Sequence, residues 1–329
     1  MSDIPPTCPI RLSDAARDAA EAALRAVTET ELGEAVPDTC VRPYLEHGAK
    51  HLRNHLPCEV LEALADWRHA ATPWLNLTNL PEPDRRVPTP QDGFTDEEAL
   101  QVPNLVQFGL LHLLGMTPVA YVWENAGRLI RNVAPHPDAA RTRTSWGHAR
   151  HLGWHTDDSV LDHRAGAAAS MAIPHFLSFY GIRNSEGVPT ELLPLDTVVA
   201  ALPAQVAVEL RRPQFAVGAP ESYTGGTGSG EPPQRTDVPV LWTLPDGNDA
   251  LRYAPGRVTG QTAWARAALR SFEECVAGLA GVPVTVEAGG FHIFDNRRVL
   301  HRRVSFAPAP PGRARWLRRC YAMRRAAAR

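Results

Sequence analysis

Two stretches decide how this chain is read: Trp154-His155-Thr156-Asp157-Asp158, and far downstream Phe294-Asp295-Asn296-Arg297-Arg298-Val299-Leu300-His301. Around them lie short runs rich in β-branched and aromatic residues, bounded by Gly, Pro or Asn, at 119–123, 128–133, 176–182, 284–286, 291–294 and 315–323. Such runs read as strands. Residues two apart in a strand share a face, so His155 and Asp157 are expected to project into one cavity. An imidazole and a carboxylate on one face begin a mixed nitrogen and oxygen metal site. The second stretch ends a strand at Phe294, turns, and presents His301 as a third donor.

An H-x-D pair alone is common by composition, but the third donor changes its weight. Two histidines and one carboxylate form the facial triad of non-haem Fe(II) oxygenases. Three coordination positions then stay open, two for a bidentate 2-oxo acid and one for O2. Fourteen residues beyond His301, Arg315 starts another strand, whose alternation groups Arg315, Leu317 and Arg319. A guanidinium fork matches a carboxylate bidentately, which is what the distal end of a dicarboxylate co-substrate needs. A solvated basic terminus is the competing reading, since Arg324, Arg325 and Arg329 follow.

Upstream of 118 the pattern is helical. Ser13 is expected to cap a helix with Ala15, Ala19, Leu24 and Val27 as its apolar stripe. Pro43 opens a second helix that breaks near Pro57. Thr95 with Glu98 resembles a capping box ahead of the apolar run 105–114, which Gly115 closes. Helices at 195–210 and 262–279 interrupt the β region. The segment 218–236, with its glycine-rich centre 225–230, reads as a loop over a site; no Lys-Ser/Thr follows it, so it is not a phosphate loop. No repeat or linker divides the chain. The expectation is one domain over 1–329, mainly β with flanking helices: a helical part at about 10–116 and a β core at about 118–323.

Composition narrows the partners. The 329 residues are 44% hydrophobic and 21% charged, with a formal net charge of -2, so no general attraction to nucleic acid or anionic membrane is expected. The five cysteines are scattered and never form C-x-x-C. That speaks against a disulfide framework or zinc ribbon and for a cytoplasmic chain. No apolar run reaches the roughly 20 residues of a membrane span, and Met1 to Leu12 lacks the basic start of a signal peptide. His47, His51 and His55 are spaced to share a helix face as metal ligands, but without a fitting carboxylate they read as surface or partner-facing residues. His148 and His151 precede the metal strand, where one is a candidate for substrate contact.

Taken together, the chain resembles the clavaminate synthase-like Fe(II)/2-oxoglutarate-dependent oxygenases of the taurine dioxygenase superfamily, which include arginine β-hydroxylases of antibiotic biosynthesis. Leu77-Thr78-Asn79-Leu80-Pro81 with Thr89-Pro90, Gly127-Arg128-Leu129 and the His-Thr-Asp segment carry the resemblance. So do Ile182-Arg183-Asn184 with Gly187-Val188, Glu221-Ser222, Asp295-Asn296-Arg297 with His301-Arg302-Arg303, and Arg315-Trp316-Leu317. The resemblance implies a double-stranded β-helix (jelly-roll, cupin-like) core. It implies Fe(II) on His155, Asp157 and His301, with 2-oxoglutarate and O2 as co-substrates. Arg315 would pair with the distal carboxylate of 2-oxoglutarate, with Thr190 assisting. Arg319 matches the position that holds a substrate α-carboxylate, and Ser145 and Ser222 match positions lining the amino-acid site.

The implied activity is hydroxylation of an unactivated carbon of a free or carrier-bound amino acid in specialised metabolism. Desaturation, cyclisation and epimerisation use the same triad. A non-catalytic jelly-roll binder of a metal or small molecule is the rival, but it leaves Arg315 without a reason. Two departures bear on the substrate. Many close relatives carry Glu where Asp157 stands. Pro220 and the segment Leu251-Arg252-Tyr253-Ala254-Pro255 lack the carboxylates that surround a guanidinium in arginine hydroxylases. A buried cation without its anions is costly, so the α-amino-acid anchor is expected to be kept and the cation-reading pocket lost, unless Asp158 or Asp249 compensates.

Overall fold

The strand Phe176–Arg183 is apolar along nearly its whole length, and all but its last residue are buried. Such a strand needs cover on both faces. It runs through the middle of a seven-stranded sheet ordered Ile10–Arg11, Trp74–Thr78, Phe291–Asp295, Phe176–Arg183, Trp316–Arg324 and Met116–Val119, with Ile130–Val133 also paired to Trp316–Arg324. A four-stranded sheet, Val282–Val284, Thr190–Pro194, Val299–Arg303 and Leu152–His155, packs against it. The pairings are antiparallel except between Ile10–Arg11 and Trp74–Thr78. In this computed structural model the described residues are 9–325 apart from 34–35, 69–71, 83, 85, 143, 165, 221–222 and 224–232.

Period-two alternation sends the two faces of the large sheet into two cores. Leu177, Phe179, Leu317 and Tyr321 join Leu192, Leu193 and Val299 between the sheets. Phe176, Tyr180, Trp316 and Cys320 point the other way, onto the N-terminal helices with Leu52, Leu64, Leu105 and Phe108. This is the jelly-roll core with helices outside. The part upstream of 118 is not purely helical, since Trp74–Thr78 and Ile10–Arg11 extend the large sheet.

Those helices correct several expectations. In Asp14–Arg25, Ser13 caps the Ala16 N–H as read from the sequence. The buried phase, however, is Ala20, Leu24 and Val27, while Ala15 and Ala19 are exposed. Arg42–His55 has Pro43 in its first turn, and a separate helix, Cys58–Trp67, begins after Pro57. Gln101–Leu113 starts before Pro103, and Asp96 rather than Thr95 accepts the Glu98 N–H at 3.0 Å. Gly115 closes it with φ +69. Arg42–His55 and Gln101–Leu113 cross backbone to backbone: a Cβ on Gly48 would lie 2.1 Å from the Leu105 carbonyl oxygen.

The expected helix 195–210 is two helices, Leu195–Ala201 and Ala204–Leu210, divided at Pro203. Ala263–Gly278 is continuous and capped by Thr262. The expected strand 119–123 sits earlier, at Met116–Val119; the chain turns directly after it, the Glu124 N–H donating to the Tyr121 carbonyl at 3.0 Å, and Asn125, Ala126 and Gly127 follow with left-handed φ. No helix among the described residues is long and apolar enough to cross a membrane.

Candidate metal centre

Antiparallel pairing of Leu152–His155 with Val299–Arg303 sets His155 directly opposite His301, with ring centroids 4.1 Å apart. Asp157 arrives by a different route from the one expected. The strand ends at His155, and Asp157 stands in a turn in which Asp158 has φ +52. Strand alternation therefore does not place it; hydrogen bonds from remote segments do. The Thr156 N–H donates to the Tyr253 carbonyl at 2.7 Å. The Asp157 N–H donates to Asn296 Oδ1 at 2.8 Å, and Asn296 Nδ2 donates back to the Asp157 carbonyl at 3.0 Å. Asp157 Oδ1 ends 3.3 Å from His155 Nε2 and 3.6 Å from His301 Nε2.

The surrounding hydrogen bonds orient these donors. His155 Nδ1 donates to the Gly153 carbonyl at 2.8 Å, which leaves the Nε2 lone pair facing the cluster. Asp157 Oδ2 accepts from Arg319 Nη1 at 2.9 Å and from the Tyr321 hydroxyl at 3.0 Å, so Oδ1 is the oxygen left for the histidines. Burial works against ionisation of Asp157, but the Arg319 guanidinium, then His155 and His301, hold its carboxyl well below the usual range. Burial, and then His155, push His301 down to about 4, keeping it neutral at pH 7. Arg319 Nη2 is in turn 2.6 Å from Glu124 Oε1, which also accepts from Arg131 Nη1 at 2.7 Å. Arg131 Nε donates to Ser145 Oγ at 2.7 Å.

A cavity of about 510 Å³ opens above the cluster, lined also by Arg315, Thr190, Arg319, Ser145 and Asp158. Arg315 is 3% exposed, its Nε has no partner, and no carboxylate among the described residues forms an ion pair with it. Burial, and then neighbouring Arg303, push its guanidinium down to about 9. A buried cation in that state suits an anionic ligand. Arg319 has committed two of its five N–H groups, to Asp157 and Glu124, and keeps others for a further acceptor. Ser145 positions Arg131 as well as lining the cavity.

Pro220, Ala254 and Pro255 line the cavity too, and Asp157 and Asp158 are its only carboxylates among the described residues. Asp158 accepts from the Tyr223 hydroxyl at 3.0 Å; burial, then Glu124 and Asp157, push it up to about 8. Asp249 is ion-paired with Arg211 at 2.7 Å and does not line the cavity, so it is no compensating acid. His151 lines the cavity and His148 does not. Ser222 and the glycine-rich centre 225–230 lie outside the described residues.

Sequence reading did not single out Asn296, Glu124 or Tyr321 as site residues. Tyr321 was findable, since it lies two residues past Arg319 on the same strand face. Glu124, a lone acid beside Trp123 in an apolar stretch and 3% exposed, was also visible as an anomaly. The role of Asn296 depends on a contact spanning 139 residues, which no local pattern encodes.

The donor set, two imidazole nitrogens and one carboxylate oxygen with room on the cavity side, suits a divalent first-row metal such as iron. The sequence profile described as "Taurine catabolism dioxygenase TauD, TfdA family" matches residues 94–321. An L-lysine 3-hydroxylase of Catenulispora acidiphila is 26% identical over 277 residues, covering 81% of this chain and 72% of that protein. Among solved structures, asparagine oxygenase in complex with Fe(II), 2S,3S-3-hydroxyasparagine and succinate matches with a TM-score of 0.78 at 23% identity, covering 95% of this chain and 92% of that one. The non-heme iron oxygenase OrfP with Fe and alpha-ketoglutaric acid matches with a TM-score of 0.76 at 20% identity, covering 95% and 93%. Both structures share the jelly-roll fold seen here.

Proposed function

The chain belongs to the TauD, TfdA dioxygenase family, and we propose that it hydroxylates an unactivated carbon of a free amino acid whose side chain carries no positive charge. It is a non-haem iron oxygenase that uses 2-oxoglutarate and O2. The observation that carries the reading is one cavity holding the His155, Asp157 and His301 donors together with the buried, unpaired Arg315. A non-catalytic binder has no use for that second element.

In this reading His155, Asp157 and His301 hold the iron, and Arg315 with Thr190 holds the distal carboxylate of 2-oxoglutarate. Bound there, iron and 2-oxoglutarate supply oxidation of a C–H bond by O2, with succinate and CO2 as co-products. The protein's own residues orient and exclude. Glu124 fixes Arg319, which with Tyr321 holds Asp157 Oδ2 and turns Oδ1 to the metal. Arg319 also lines the cavity, and its uncommitted N–H capacity is assigned to the substrate α-carboxylate. Phe179 and Val133 supply apolar wall. The volume falls within the roughly 300–1,000 Å³ of small-molecule pockets, which favours a free amino acid over a carrier-bound one.

The relatives are named as a lysine 3-hydroxylase and an asparagine oxygenase, and a further OrfP complex holds hydroxyarginine. Against a cavity whose only acids among the described residues are Asp157 and Asp158, an uncharged side chain of the asparagine kind fits better than a cation. Screening succinate release over the proteinogenic amino acids tests this. Turnover concentrated on neutral side chains is expected, and a strong preference for arginine or lysine overturns the substrate reading.

A further inference from the structure

A second cluster of metal-type donors lies outside the cavity. His47 and His51 are four apart on the helix Arg42–His55, and the next helix upstream, Glu29–Leu32, brings Glu31 to the same place. One donor atom from each of the three lies within 4.8 Å of the other two. Four-residue spacing puts two histidines on one helical face, and H-x3-H is a recurrent zinc-ligand spacing. The carboxylate missing from the linear reading is supplied by a helix that is separate in sequence.

The unmet polar groups point to a ligand. His47 Nδ1 and His51 Nε2 are both buried and have no hydrogen-bond partner. His47 Nδ1 lies 3.8 Å from Glu31 Oε1, too long for a hydrogen bond and beyond the roughly 3.3 Å between two ligand atoms on one tetrahedral ion, so a small side-chain shift brings both onto it. Glu31 Oε2 accepts the Thr28 N–H at 3.0 Å, which fixes the carboxylate and leaves Oε1 toward the histidine. His55 is turned elsewhere: its Nδ1 donates to the His51 carbonyl at 2.8 Å. The helix is a rigid platform, because Gly48, between the two ligands, is locked against Gly109 and the Leu105 carbonyl.

We propose that Glu31, His47 and His51 form a second, peripheral site for a divalent zinc-type ion, with water completing the coordination. Two nitrogens and one oxygen at this spacing suit Zn2+, and the ion clips Glu29–Leu32 to Arg42–His55. The site shares no residue with the catalytic cavity.

Titration of the metal-free full chain with Zn2+ against a chromophoric chelator tests this. Wild type is expected to take up two equivalents, the His155→Ala/His301→Ala variant one, and the His51→Gln variant one. Glu31→Gln is expected to weaken the peripheral site about tenfold or more. Thermal unfolding supplies a second readout: Zn2+ raises the midpoint of the His155→Ala/His301→Ala variant, and adding His51→Gln abolishes that rise. A single equivalent in wild type that is lost with His155→Ala/His301→Ala and indifferent to His51→Gln overturns the proposal.

Discussion

Arg315 is the test at the scale of one residue, because its buried guanidinium forms no ion pair among the described residues, Glu186 acting on it only weakly against burial. Removing an uncompensated buried charge relieves a desolvation cost. Arg315→Met is therefore expected to leave the unliganded protein as stable as wild type, or about 1 kcal/mol more stable. The same variant should lose about 10- to 100-fold in 2-oxoglutarate affinity, the size of one charge-assisted hydrogen-bonded pair. Thermal shift with and without 2-oxoglutarate separates the two effects; a destabilised variant that still responds to the co-substrate contradicts the role. Asn296 is the complementary case. It is fully buried and clamps the Asp157 backbone through two hydrogen bonds. Asn296→Ala is expected to weaken Fe(II) binding about 10- to 100-fold, as loss of a supporting hydrogen bond does, measured by Fe(II) titration under anaerobic conditions. His155, Asp157 and His301 could be picked out by donor type, and Arg315 by the resemblance together with its place 14 residues after His301; the structure gathers all four at one cavity. Asn296 could not, since its partner lies across the fold.

Among elements, the crossing of Arg42–His55 with Gln101–Leu113 positions the N-terminal helices under the large sheet. Gly48→Ala would put a methyl 2.1 Å from the Leu105 carbonyl oxygen, and the backbone cannot give way locally. A loss of about 3 kcal/mol is expected, at the upper end for overpacking. Gly278→Ala, at the end of Ala263–Gly278, meets nothing within 4 Å and should gain about 0.5 kcal/mol from helix propensity. Urea denaturation distinguishes the two. Equal and small effects would show that the crossing does not depend on glycine. Helix ends at Gly115 and Pro57 were readable because those residues act through their own backbone. Of the expected stripe Leu24 and Val27 are buried as read, but Ala15 and Ala19 are exposed and Ala20 takes their place, because alanine is too small to phase a stripe. The expected strand 119–123 was misplaced because the pairing that sets it is remote: Met116–Val119 pairs with the end of Trp316–Arg324, and beyond Val119 the chain turns, the Glu124 N–H donating to the Tyr121 carbonyl.

Over the whole molecule, stability should depend on pH through buried histidines outside the triad. Burial, and then the charge of Arg297, push His175 down to about 4; burial pushes His292 down to about 3. His175 Nδ1 accepts the Arg324 N–H at 3.2 Å, a bond that protonation removes. Unfolded, each titrates near 6.5. Between that value and about 4 the unfolded chain binds more protons, so stability is complete above about pH 6.5 and falls as the solution is acidified. The loss by pH 4 is on the order of 2–3 kcal/mol for each. His175→Gln should flatten the acid limb in urea denaturation run from pH 7.5 to 4.5, and an unchanged limb contradicts the assignment. At the same scale the central claim is that one cavity joins the triad to the 2-oxoglutarate anchor. Anaerobic addition of Fe(II) and then 2-oxoglutarate tests it most directly. The account predicts a weak visible charge-transfer band in wild type that is absent in His301→Ala and needs more 2-oxoglutarate in Arg315→Met. No band in folded wild-type protein, or its persistence in His301→Ala, contradicts it.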